Sequence, residues 1–235
     1  MNRRHLLSSV GAAYLGLVGA VGSRAAAPPT VAVWTSEAAS CYRGVADRAT
    51  AYLGAALSEA VPDVEVSHAG SVPVSTERAY DLMASTEWPR TLAGTGDIAD
   101  VNLLLTDGAM DHAPTGLGVP HVAAVGGAGD VAAMDPPEDA GSVVPYSWPA
   151  FATQVLLHEC GHALGLDHDH GVVHATDDAV VASPMVSAYA WASADERAGQ
   201  FAAGANACGE SLPPPAGRER RLGLRFSDCA LAALR

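Results

Sequence analysis

The stretch His158-Glu159-Cys160-Gly161-His162-Ala163-Leu164-Gly165-Leu166-Asp167-His168 reads H-E-x-x-H-x-x-G-x-x-H without interruption. On a helix, residues four apart share a face, so His158 and His162 can aim two imidazole nitrogens at one point. Glu159 lies about 100° further round, within reach of a metal-bound water without being a ligand itself. Gly165 lets the chain leave the helix in a conformation that a Cβ would penalise, and the turn can return His168 as a third ligand. Three protein ligands leave zinc an open fourth position, the arrangement of a catalytic site rather than a structural one. A bare H-E-x-x-H occurs by chance. An amphipathic core helix with satisfied histidines does not account for the added glycine and third histidine at these offsets.

The chain around it has 235 residues, enough for one domain with a sizeable core. A hydrophobic fraction of 49% with 17% charged residues argues against disorder. The formal net charge is −13, with 13 arginines and no lysine. Such acidity speaks against a nucleic-acid partner, since phosphate backbones attract basic surfaces. It suits solubility in high salt, and a GC-rich genome favouring Ala, Gly, Pro and Arg accounts for the bias equally well.

Residues 1–27 read as an address. Arg3-Arg4 precede Leu6-Leu7 and a weakly apolar, Gly-rich run to about Val21, and Ala25-Ala26-Ala27 offers small residues for cleavage. The pattern is that of a twin-arginine signal peptide, giving a secreted, extracellular protein without stable membrane insertion after signal removal. The competing reading is an uncleaved anchor, because the apolar run approaches spanning length. Removing Arg3, Arg4 and Arg24 but no acid would move the charge from −13 to −16. Four cysteines remain: Cys41, Cys160, Cys208 and Cys229. An even number in an exported chain suggests two disulfides, with Cys41–Cys160 and Cys208–Cys229 the preferred pairing of three, and four buried thiols as the alternative. Cys160 falls about 200° round the helix from His158, facing away from the metal.

Along the chain, Thr30 to Trp34 is a β-prone run. From Cys41 to Ala60 the apolar residues Val45, Ala49, Tyr52, Leu53, Ala56 and Leu57 recur at helical steps, and Pro62-Asp63 ends the helix. Val64 to His68 alternates as a half-buried strand does, and a short helix is expected around Glu77 to Met83. Val101 to Thr106 is the clearest strand, stopped by Asp107-Gly108. A Gly/Pro-rich loop follows, then strands at His121 to Val125 and Val143 to Ser147. Pro149 stands at the start of the motif helix, where its missing N–H costs nothing. Beyond His168 an irregular stretch leads to Ser183-Pro184-Met185. Ser193-Ala194-Asp195-Glu196 is a capping box opening a helix to about Gly204. Residues 206–235 read as a Pro-rich linker and an Arg-rich tail with a short helix from Ser227, a solvated face or a contact surface.

With the long motif and Met185 both in hand, the chain resembles the metzincin zinc metallopeptidases, and among them the matrixins most. His158 to His168 is close to the family's H-E-x-G-H-x-L-G-L-x-H form, and Ser183-Pro184-Met185 resembles the Met-turn that floors the family's metal. The resemblance implies an α+β fold: a twisted mixed sheet with two long helices, then a small irregular C-terminal subdomain ending in a helix. It places the catalytic domain at 28–205 with a subdomain break near residue 168. It implies one catalytic Zn2+ on His158, His162 and His168, Glu159 as catalytic base, Met185 as floor, and a monomer acting on peptide or protein substrates. Asp107, Asp111, His112 and His121 lie where matrixins carry a structural Ca2+ or second Zn2+, without matching the second-zinc pattern cleanly. The sequence also departs from the family: there is no cysteine-switch, and Tyr189 lies four residues after the Met rather than at the two-residue spacing of related zinc-binding tyrosines.

The chemistry this implies is hydrolysis of peptide bonds by a zinc-activated water with Glu159 as general base. By family analogy the substrate lies along an edge strand, expected at His121 to Val125. A catalytically silent secreted zinc-binding or interaction protein is the alternative, though binding needs only the histidines. A thermolysin-like glutamate ligand is poorly supported, since no Glu lies between Glu159 and Glu196.

Overall fold

The computed structural model describes residues 28–75, 78, 98–111, 115–186, 208 and 217–235. The expected signal segment, the Glu77 to Met83 helix apart from Arg78, His112, Tyr189, the helix from Ser193 and the residues of the Pro-rich linker before 217 apart from Cys208 lie outside these.

The order begins β1 (Thr30–Ser36), α1 (Glu37–Ser40), α2 (Val45–Leu57), β2 (Glu65–Val72), β3 (Val101–Leu105), β4 (Gly116–Val119) and β5 (Val122–Val125). These strands form one sheet in the order β2-β1-β3-β5-β4. All neighbours are parallel except β4, which runs antiparallel to β5 along the edge. Side chains alternate between faces as strand geometry requires. Val31, Val33, Leu103, Leu105, Ala123 and Val125 join the main core under the helices. Ala32, Trp34, Leu104, Val122 and Ala124 form a smaller cluster on the other face. The helical periodicity of α2 delivers Val45, Ala49, Tyr52, Leu53, Ala56 and Leu57 to the core, the residues its spacing singled out.

Next come α3 (Ala128–Ala133), α4 (Pro137–Ala140), β6 (Val143–Pro145) and α5 (Trp148–Ala163), the motif helix. Ser147 caps α5 by accepting from Ala150 N–H at 3.2 Å, and Pro149 sits in its first turn. Every residue from Ala150 to Gly161 is buried, as befits a helix packed on several sides. It lies against β3, β4 and β5 and against α2 and α3, and it also reaches the strand Glu219–Gly223.

Three sequence expectations are corrected here. The segment after His168 is not irregular: a 3₁₀ turn (His168–His170), β7 (Val173–Ala175) and β8 (Ala179–Ala182) follow it. The tail is not a solvated appendage, since β9 (Glu219–Gly223) and α6 (Asp228–Ala233) are part of the fold. A second sheet runs β6-β9-β8-β7, with β8 and β9 parallel. Leu222, Leu224, Phe226, Ala230 and Leu231 belong to the same core cluster as the motif helix. Buried Gln154 of α5 donates to the carbonyls of Ala182 at 2.8 Å and Gly223 at 3.1 Å, fastening the helix to this sheet. Third, the strand at His121 to Val125 is internal, flanked by β3 and β4. The edge is Gly116–Val119, which lies in the segment expected to be a loop.

Cys208 and Cys229 form a disulfide, whereas Cys41 and Cys160 are free thiols. The expected Cys41–Cys160 pair fails because Cys160 is wholly buried in the core while Cys41 is exposed beyond α1.

Candidate metal centre

The C-terminus of α5 explains how the site is assembled. Gly165 has φ 93°, a left-handed value that suits glycine. Around it Gly165 N–H donates to His162 O at 3.0 Å and Leu166 N–H to Gly161 O at 2.9 Å. This is the Schellman pattern, which closes the last helical carbonyls while buried Leu166 packs inward. His121 N–H, from the β4–β5 turn, donates to Ala163 O at 2.8 Å. The chain then turns back through Asp167, whose side chain accepts from His168 N–H at 2.7 Å.

The result brings three imidazoles together. His158 Nε2 lies 3.1 Å from His162 Nε2 and 3.2 Å from His168 Nε2. The His158 and His162 rings meet edge to face, with centroids 4.6 Å apart. Each helical imidazole has its other nitrogen committed to a carbonyl: His158 Nδ1 to Pro184 O at 2.7 Å, His162 Nδ1 to Leu166 O at 2.9 Å. A carbonyl only accepts, so Nδ1 carries the proton and Nε2 presents a lone pair. Burial, reinforced by His162 and His168, drives His158 down to about 3; a hydrogen bond to Pro184 opposes this only in part. Burial likewise lowers His162 and His168. Neutral imidazoles whose lone pairs face one another repel unless a cation lies between them. Nitrogens at the corners of a zinc tetrahedron with bonds of about 2.05 Å would be about 3.3 Å apart, close to the spacing here. The donor set therefore fits a zinc ion.

Glu159 is buried beside this cluster and is not one of its converging donors. Its carboxyl is pushed up to about 8 by burial. It packs under β4: a Cβ at Gly116 would stand 2.7 Å from Glu159 Oε1, and one at Gly118 2.6 Å from Glu159 O and 2.7 Å from His162 Cβ. Only glycine lets the edge strand approach the helix this closely. Met185 is fully buried, and its Sδ fills the place where a Cβ of Gly161 would be. Ser183-Pro184-Met185 thus contributes twice, with a carbonyl to His158 and a thioether under the helix.

Sequence reading missed Gly116, Gly118 and the Pro184 carbonyl. The alternation Gly116-Leu117-Gly118-Val119 was a signal for the first two, while a backbone carbonyl leaves none. Among the described residues the histidine trio is the one group of three His, Cys, Asp or Glu side chains close enough to share an ion. His121, expected near a second metal, instead places Nδ1 3.0 Å from Asp100 O.

No protein-family model matches the chain, and no curated protein does. Among solved structures it is similar to the archaemetzincin of Methanopyrus kandleri, with 18% identity over 88% of this chain and 93% of that one and a TM-score of 0.44. A chaperone–substrate complex gives 12% identity over 59% of this chain and 23% of that one, with a TM-score of 0.30. At such scores neither likeness carries an assignment, and nothing here singles out the matrixins. The protein is a mixed α+β chain with a partly buried three-histidine cluster.

Proposed function

We propose that the chain is a secreted zinc-dependent endopeptidase. The observation that carries this reading is the convergence of three Nε2 atoms beside a buried glutamate under an antiparallel edge strand. His158, His162 and His168 would hold the ion. Bound there, zinc would acidify its water and polarise a scissile carbonyl. Glu159 is the proton carrier, taking a proton from the attacking water and returning it to the leaving amine. Burial alone favours its protonated form; a cation held by the neighbouring imidazoles favours the carboxylate that a base requires. Among the described residues β4 is paired along one edge only, so an extended peptide could add to the other as a further antiparallel or parallel strand, held by main-chain bonds. Met185 and Gly161 keep the helix floor packed beneath the histidines. Export rests on the Arg3-Arg4 leader and agrees with a disulfide between Cys208 and Cys229. Among the described residues no helix is long and apolar enough to cross a membrane.

Glu159→Ala tests the reading. The variant is expected to retain one zinc per chain while losing casein and peptide hydrolysis by at least about a hundredfold. Hydrolysis at the unmodified rate would exclude Glu159 as the base. A wild-type chain that binds zinc and cleaves no member of a peptide library would instead be a binding protein on this scaffold.

A further inference from the structure

His158 and His162 are held by α5 itself, but His168 is not. It sits on a three-residue 3₁₀ turn, an element with little stability of its own. That turn is held from outside at two carbonyls. Cys208 N–H donates to Asp169 O at 3.4 Å, and Ser227 Oγ donates to His170 O at 3.3 Å. Both bonds are longer than such bonds usually are, so their value depends on how firmly the donors are placed. The two donors belong to one covalent unit. Cys208 is bonded to Cys229, and Ser227 lies two residues before Cys229 as the cap of α6, accepting from Ala230 N–H at 3.2 Å. This unit has a buried foot: Phe226, Ala230 and Leu231 are in the main core, and Phe226 stands with Met185 against Gly161.

We propose that Ser227 and the Cys208–Cys229 disulfide form a clamp that positions His168 for the metal. The inference rests on the zinc reading above. The core anchors α6, α6 places Ser227 directly, and the disulfide carries the same anchoring across to Cys208. Without the bridge the Asp169 carbonyl loses a fixed donor, and the His168 ring samples positions from which its Nε2 no longer meets that of His158. The clamp residues touch neither metal nor substrate. They are positioning residues.

The test is zinc affinity by competition with a chromogenic chelator, on the full chain. The Cys208→Ser/Cys229→Ser double variant is expected to bind zinc about tenfold or more weakly, the scale at which supporting partners of metal ligands act. Ser227→Asp keeps an acceptor for the α6 cap but, ionised, cannot donate to His170 O; it should lose affinity in the same direction, and Ser227→Thr should restore it. The decisive comparison is made in a His168→Ala background, where breaking the disulfide should have no further effect on zinc affinity. A loss of equal size with and without His168 would mean general loosening and would overturn the clamp. So would zinc affinity within twofold of wild type in both the double variant and Ser227→Asp. A wild-type chain that binds no zinc would refute the zinc reading itself, and the clamp with it; one that binds a single zinc indifferently to the disulfide would refute the clamp alone.

Discussion

His158 and Cys160 lie two residues apart on α5, and burial acts on both against the charged form. It drives the imidazole down to about 3, so His158 stays neutral and keeps its lone pair for a cation. It raises the Cys160 thiol to about 12, so almost none of it is thiolate at neutral pH. Cys160 is therefore an apolar core residue inside a metal motif, fully buried and without a disulfide partner. Cys41 is exposed, its thiol 3.5 Å from Glu37 O. Alkylation with iodoacetamide at pH 8 should thus modify Cys41 in the folded protein and leave Cys160 untouched. Adding denaturant without reductant should bring a second modification, and reductant two more. Intact-mass spectrometry reads all three stages, and early labelling of Cys160 would contradict its burial.

At the scale of elements, the site depends on how closely β4 approaches α5. Leu117 and Val119 pack on the smaller cluster, which turns Gly116 and Gly118 toward the helix. Gly118→Ala forces a Cβ to within 2.6 Å of a backbone oxygen that has no rotamer to yield. Strand or helix must move, at a cost of about 1–3 kcal/mol. The expected result is a lower urea midpoint with an unchanged m-value, together with weakened zinc binding, because His162 Cβ and Glu159 Oε2 are also in the way. Leu117→Ala should also lower stability while leaving zinc affinity alone. Comparable zinc affinities for wild type and Gly118→Ala would show that the strand does not set the site. These glycines also mark where sequence reading stopped. The convergence of the histidines was legible because helix geometry fixes the spacing of His158 and His162, and Gly165 ends the helix so that His168 can return. β4 was less so, since its two glycines lower β-propensity and its apolar alternation is carried by Leu117 and Val119 alone.

The same contrast holds for the whole molecule. β1, α2, β3 and β5 announce themselves by local period, as continuous apolar strands or a helical repeat. The second sheet does not. β6, β7, β8 and β9 are three to five residues long and come from either side of the motif helix, so no local window reveals their pairing. Arg218, Arg220, Arg221 and Arg225 further disguise β9 as a polar tail, although Leu222 and Leu224 carry it into the core. If that strand is integral, deleting residues 217–235 removes the link between β6 and β8, one of the two acceptors of Gln154, and the partner of Cys208. It also strips Leu222, Leu224, Phe226 and Leu231 from the core. At about 1.5–3 kcal/mol for each large side chain, the loss is comparable to the about 5–15 kcal/mol by which a typical domain is stable. The truncated chain should therefore show no cooperative thermal transition and little near-ultraviolet circular dichroism. A sharp transition within a few degrees of the intact chain would mean that the first sheet and its helices fold without the second.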